Sequence, residues 1–258
     1  MTIATNNRQR DREKRRFNAL IDIVALKHSI EIALSIKKAM IKSANSYANN
    51  GYIDNKIIAK HQKEMRSIAF KLYSNSIDMS SNRQFQSIKH HFPVEMEKKD
   101  AQLDFQELAI DFITTYGMRL ASQVSDTTIK QVNKAIDRSV QEGLSTSETV
   151  SVIRDRASIL SRSRAMTIAV TETHNALSWA KNESTRLISD ELGLELIKEW
   201  NTVEDERTRQ SHREADGQKV GMDESFTVAG ESLRYAGDIN GSAANTINCR
   251  CTETYTKK

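Results

Sequence analysis

Leu187-Ile188-Ser189-Asp190-Glu191-Leu192-Gly193-Leu194-Glu195-Leu196-Ile197-Lys198-Glu199-Trp200 is the stretch in which the chain changes its period. Up to Gly193 the apolar residues recur at helical spacing. Ile168, Val170, Leu177, Ala180, Leu187 and Ile188 define a predicted helix from Ser163 to Ser189, which Gly193 ends. Beyond Gly193, Leu194, Leu196, Lys198 and Trp200 alternate imperfectly with Glu195, Ile197 and Glu199, which predicts a strand. The switch sets the fold class. It is α+β, predominantly α, with a long-helix N-terminal region followed by a small C-terminal α+β domain of short antiparallel strands.

Punctuation supports that division. Gly51, Gly117 and Gly143 serve everything before residue 193, whereas Gly193, Gly217, Gly221, Gly230, Gly237 and Gly241 crowd the remainder. Upstream, Phe105, Leu108, Phe112, Tyr116, Leu120 and Val124 form one apolar stripe. Ile129, Val132, Ile136 and Val140 continue it to Gly143, a C-cap glycine. Ser145 and Glu148 make a capping box for a helix reaching about Arg156.

Residues 9–47 read as a first helix, with Phe17, Leu20, Val24, Ile30, Leu34 and Met40 or Ile41 as its apolar face, and Asn49-Asn50-Gly51 as its stop. Asp54 caps a second helix to about Ser74; Ser80 and Ser81 loosen the chain, and Pro93 breaks it. Downstream, Asp205–Glu214 is predicted as a short helix capped by Thr202 or Asp205, with Glu206 in its first turn. Strands are expected at Gln218–Val220, Phe226–Val228, Leu233–Tyr235 and Ile247–Tyr255. The expected domains are a helical region, 1–142, and a second domain, 143–258.

Composition excludes several classes. Of the 258 residues 38% are hydrophobic and 28% charged, too apolar for a disordered chain. The start lacks the apolar core of a signal peptide, and nothing approaches the ~20 apolar residues that span a bilayer. Synthesis in a cytoplasm and no membrane anchor are expected. Cys249 and Cys251 are too few and too close to staple a secreted domain. The net charge is +4. Residues 1–16 carry Arg8, Arg10, Arg12, Lys14, Arg15 and Arg16 against Asp11 and Glu13, so 6 − 2 = +4. Those arginines are candidates for phosphate contact on double-stranded DNA. The alternative is a solvated end, and without aromatics there the segment has no platform for stacking on bases.

The order of motifs from residue 143 onward resembles the head-morphogenesis domain of phage Mu F-like minor capsid proteins. It begins with Gly143-Leu144-Ser145 and continues with Arg164-Ala165-Met166-Thr167-Ile168-Ala169-Val170-Thr171-Glu172-Thr173-His174. A strand ending in Trp200 follows, then Asp205-Glu206-Arg207-Thr208-Arg209 and His212. Asp216-Gly217, Phe226, Gly237-Asp238 and Asn248-Cys249-Arg250-Cys251 complete the series. Relatives often carry proline before the Gly-Asp pair, where this chain has Ala236, so that loop departs from the pattern. The resemblance implies a low-copy component of the phage head near the portal. Its expected partners are the portal or major capsid protein, with DNA association in parts of the family. It also implies a structural role for Arg164, Glu172, His174, Trp200, Arg207, Asp216, Gly217 and Asn248, no enzyme activity and no small-molecule substrate.

Two clusters carry chemistry of their own. His212, Cys249 and Cys251 offer zinc-type ligands, because residues i and i+2 of an extended strand face one side. Asp205, His174 or Asp216 would be the fourth ligand, and no cofactor is otherwise required. The other reading is two small buried thiols beside a hydrogen-bonded histidine. Glu172 and His174 lie on a predicted helix, and Glu172 is expected to pair with Arg207 or Arg209 or to accept a bond from His212. The competing reading is a small hydrolase or nuclease using Glu172, His174 and His212 as acid and base groups. No nucleophile elbow, phosphate loop or complete metal triad accompanies them. His90 and His91, before Phe92-Pro93, read as loop residues.

Overall fold

The computed structural model describes residues 7–91 and 100–258. Four long helices come first: α1 (Asn7–Asn50), α2 (Asn55–His91), α3 (Asp100–Gln141) and α4 (Thr146–Glu191). Short elements follow: β1 (Leu196–Asn201), α5 (Gln210–Glu214), β2 (Lys219–Gly221), β3 (Phe226–Val228), β4 (Glu231–Leu233), α6 (Ala243–Thr246) and β5 (Thr252–Lys257). The fold is α+β and predominantly α. Among the described residues no helix is long and apolar enough to cross a membrane.

The described residues form two compact units. One takes Ala25–Leu72 and Phe112–Ala169 and is built from helix segments alone. Its buried face includes Ile32, Ile36 and Met40 of α1, Met65, Ala69 and Leu72 of α2, Leu120, Val124 and Val132 of α3, and Ile153, Ala157 and Ala165 of α4. Ile30 and Leu34, expected on the buried side of α1, are instead exposed; the buried face is rotated to Ile32, Ile36, Ala39 and Met40. Inside this unit Ser35 Oγ meets His61 Nδ1 at 3.1 Å and Arg164 donates to Thr128 Oγ1 at 3.2 Å.

The other unit takes Met1–Val24, Tyr73–Asp111 and Val170–Lys258, in so far as these are described. β1 is the centre of an antiparallel sheet ordered β2-β1-β5. Trp200 pairs with Glu253 across to β5, and Glu199 pairs with Lys219 across to β2. β3 and β4 form a separate hairpin, Val228 opposite Glu231. Its two-residue loop, Ala229-Gly230, has φ of 51° and 78°, the positive pair that a hairpin matching the strand twist requires.

Several elements run longer than their sequence signals. α2 continues past Ser80 and Ser81, because Ser81 Oγ returns its bond to Ile77 O at 2.9 Å and Ser80 Oγ donates to Leu177 O at 2.8 Å. Hydroxyls satisfied in this way leave the helical ladder intact. α4 joins the two helices expected at 145–156 and 163–189. Its serine-rich middle is held by the fully buried Ala157 and Ala165, and Ser161 Oγ bonds Ser158 O. The caps expected at the two ends of α4 hold. Ser145 Oγ and Glu148 Oε2 are 2.6 Å apart, and Glu148 also accepts the Ser145 N–H at 2.7 Å. At Gly193, φ is 59°, and the N–H of Leu194 reaches back to Ser189 O at 2.8 Å, closing α4 with the glycine-dependent C-terminal motif. Pro93 and the side chains of His90 and His91 lie outside the described residues.

The downstream boundaries shift as well. α5 begins at Gln210, not Asp205: Asp205 Oδ1 accepts from the N–H of Arg207 and the hydroxyl of Thr208, forming a polar turn before the helix. Thr202 serves elsewhere, donating to Asp216 from its N–H and its hydroxyl. The strand expected from Ile247 begins only at Thr252, because α6 and a bend with Asn248 at φ 55° precede it.

Candidate functional site

The site is built on β1. Trp200, fully buried, donates its backbone N–H to Gln218 O and accepts from the N–H of Gly217, each at 2.9 Å. This ladder fixes the end of the turn that carries α5, whose buried residue is His212. The Trp200 ring meets His212 and Phe226 edge-on, with centroids 5.7 and 5.3 Å away. Phe226, Val228, Leu233, Ala236, Cys249 and Cys251 complete a core around it.

In that core His212 Nδ1 lies 3.4 Å from Cys251 Sγ and 3.7 Å from Cys249 Sγ. All three ligand atoms fall within 4.8 Å of one another, and all three residues are buried. The opposite ring nitrogen, Nε2, lies 3.3 Å from Asn245 Oδ1. The amide nitrogen of Asn245 is turned to Val228 O at 3.4 Å and also favours the Glu231 carboxylate, so its oxygen faces the imidazole. An accepting oxygen there assigns the proton to Nε2, which leaves the Nδ1 lone pair aimed at the two sulfurs.

α6, which bears Asn245, is anchored by Glu231. That carboxylate accepts the hydroxyl of Ser242 at 2.5 Å and its N–H at 2.8 Å. A hydrogen bond from Cys251 holds Cys249 well below the usual thiol range, against the effect of burial. The same bond, together with burial, pushes Cys251 well above it. The indole N–H of Trp200 is buried without a well-formed hydrogen bond and favours the Cys251 thiolate.

The sulfurs converge for a different reason than strand alternation. Asn248 bends the chain after α6, its N–H held at 3.1 Å by Thr171 Oγ1, and the two cysteines lie in that bend ahead of β5. Asp205 is not part of the group; its carboxylate serves the turn before α5 and an ion pair with Arg207 at 3.6 Å. Asp216 accepts from Thr202, and Gly217 takes φ 76° beside it. His174 is fully buried, with Nε2 2.7 Å from Cys251 O and the ring edge-on to Phe17. Its Nδ1 faces Gly237, where an added Cβ would sit 2.2 Å from that nitrogen, so only glycine fits at this close approach. That contact lies in the loop that departs from the family pattern.

Glu172 pairs with neither Arg207 nor Arg209 and is not bonded by His212. It accepts from the Tyr73 hydroxyl at 2.5 Å. Arg207 projects into solvent, and Arg209 donates to Ile247 O at 2.5 Å. Glu172 thus engages Tyr73, whereas His174 and His212 both meet Cys251, one at its carbonyl oxygen and the other at its sulfur. Of the basic start, Arg10 is committed to the sheet: it pairs with Glu199 at 3.0 Å and donates to Asn201 Oδ1 at 2.7 Å. Arg16 pairs with Glu13 at 3.6 Å, and Arg8, Arg12 and Arg15 are exposed.

Buried charge is the feature least visible in sequence. Lys181 donates to Thr252 Oγ1 at 3.1 Å and to Glu253 O; burial pushes the Lys181 ammonium down and the Glu253 carboxyl up. Lys198 is buried on β1 and donates to Arg234 O at 2.7 Å. The one signal that could have found this is Lys181 at i+4 from Leu177, on the apolar side of a helix.

Residues 130–254 match the family described as phage Mu protein F like protein. The NAD(+)–arginine ADP-ribosyltransferase EFV of Enterococcus faecalis (strain ATCC 700802 / V583) is 32% identical over 139 residues, covering 53% of this chain and 28% of that protein. The uncharacterized protein YqbB of Bacillus subtilis (strain 168) is 26% identical over 173 residues, covering 64% of this chain and 55% of that protein. The chain thus spans less than two thirds of either relative. No solved structure matches.

Proposed function

We propose, from the match of residues 130–254 to the phage Mu protein F-like family, that the chain is a structural head-morphogenesis protein of a tailed phage, a minor component of the virion near the portal. The observation that carries the reading is the family match over the segment that builds the sheet and the His212 core. The geometry accords with it: the polar groups that an enzyme would need are engaged in holding elements together. Glu172 holds Tyr73, His174 holds the Cys251 carbonyl, and Asp216 holds Thr202. The transferase activity in the name of the enterococcal relative stays with that protein, most of which lies outside the match.

The partners we propose are the portal or major capsid protein. DNA contact belongs to the same reading and is supported by the exposed Arg8, Arg12 and Arg15 on the first turns of α1. If those arginines meet phosphates, replacing all three by glutamine flattens the slope of log K against log salt by about 0.9 for each phosphate no longer neutralised; an unchanged slope removes DNA from the proposal.

The decisive experiment is quantitative mass spectrometry of purified heads and of DNA-free proheads from the phage that encodes the chain. A few copies per portal in both are expected. Absence from both, with normal heads when the gene is deleted, overturns the reading.

A further inference from the structure

We propose that His212, Cys249 and Cys251 form a binding site for a soft divalent cation of the zinc class, with His212 bound through Nδ1. The inference does not rest on the role at the phage head. Its first support is distance. With Zn–S about 2.3 Å and Zn–N about 2.1 Å at a tetrahedral angle, nitrogen and sulfur of one site lie about 3.6 Å apart. The observed separations, 3.4 and 3.7 Å, bracket that value.

The second support is the lone pair. Asn245 takes the proton side of the imidazole, so the nitrogen that faces the sulfurs is the one able to bind a metal. A carbonyl oxygen on the far ring nitrogen is the arrangement that orients metal-bound histidines and raises their basicity. Here that oxygen is itself fixed, through α6 and the clamp of Glu231 on Ser242. The indole N–H of Trp200, buried beside Cys251 without another partner, is a donor suited to a metal-bound thiolate.

The third support is charge and shelter. All three residues are almost fully buried, at 1%, 2% and 3% exposure, so a thiolate pair there needs compensation. A divalent ion supplies it: the two thiols lose their protons to solvent, two metal–sulfur bonds and one metal–nitrogen bond form, and the buried group is neutral overall. The carboxylates of Asp205 and Asp216 and the ring of His174 are engaged elsewhere. Three donors thus come from the protein, and the fourth position is left to water or another small ligand.

The test uses the full chain, purified from medium supplemented with zinc and dialysed without chelator. Elemental analysis is expected to give about one zinc per chain, and a Cys249→Ser, Cys251→Ser double variant almost none. Cobalt(II) exchanged into the unmutated protein provides a measurement that does not depend on the variant folding. Thiolate-to-cobalt charge transfer and intense tetrahedral d–d bands are expected. Unmutated protein that retains no zinc and gives a six-coordinate, sulfur-free cobalt spectrum overturns the site.

Discussion

His61 is 2% exposed in the all-helical unit, its Nδ1 against Ser35 Oγ and its Nε2 without a partner. Burial pushes its pKa down to about 4, with Glu64 raising it and Arg164 lowering it further. The sign follows from which state binds the proton first. As pH falls, the unfolded chain protonates near 6.5 while the folded one resists to about 4, so stability present above pH 6.5 is lost over that window. The gap of roughly 2.5 units corresponds to about 3 kcal/mol at most. Denaturant midpoints at pH 7 and 4.5, compared between the unmutated chain and His61→Gln, isolate this group from the others that titrate in the same range. The unmutated chain should lose more stability than the variant. Equal losses would show that His61 takes its proton inside the fold. Nothing in the sequence marks His61, because its depression comes from helices distant in the chain. Cys249 and Cys251 were legible by their chemistry alone. Asn245, which sets the tautomer of His212, was not, since asparagine is common in loops and the bond depends on where α6 is pinned.

At the scale of elements, the capping signals of α4 translate directly, whereas those at Thr202 and Asp205 and the interior ones do not. Ser145 with Glu148, Gly143 and Gly193 act locally, so sequence alone places both ends of α4 within a few residues. Serines at 80–81 and 158–163 mislead because their effect depends on whether a carbonyl is within reach of the hydroxyl, which is decided by packing. β1 alternates imperfectly because it is the central strand: Lys198 and Glu199 point to opposite faces and both are buried, one on Arg234 O, the other on Arg10. The apolar face of α1 differs in part from its periodicity. Leu26, Ile30 and Leu34 recur at steps of four and stand 59%, 59% and 63% exposed. Three large aliphatics in one row are more than scattered surface residues, and on the proposed function they are expected to meet another head protein. Replacing all three by glutamine should leave stability within about 0.5 kcal/mol per site, because little packing is removed. Incorporation into heads should fall sharply. A variant that is packaged at the normal copy number would show that this row contacts nothing in the particle.

For the whole molecule, the segment that carries the family motifs and the compact unit that holds most of them are different sets of residues. The motifs begin at Gly143, and the family match spans 130–254. The compact unit around the sheet instead draws on Met1–Val24, Tyr73–Asp111 and Val170–Lys258, while the first part of α4 belongs with the other unit. Sequence order hides this, because each long helix contributes residues to both units and periodicity reports only that a face is buried, not by what. The consequence concerns a fragment of residues 143–258. It would lack Phe17 against His174, Tyr73 against Glu172, Phe105 stacked on Trp179, and Arg10 against Glu199. Removing a buried aromatic typically costs about 3–5 kcal/mol, and three such removals match or exceed the whole stability of an ordinary domain. The fragment is therefore expected to lack a cooperative thermal transition and the near-ultraviolet signal of a fixed Trp200, while the full chain shows both. Addition of a peptide covering residues 7–24 alone should not restore them, because the contacts from 73–111 would still be missing. A fragment that melts cooperatively, with dispersed amide resonances, would mean instead that the sheet and its His212 core fold from the motif-bearing segment alone.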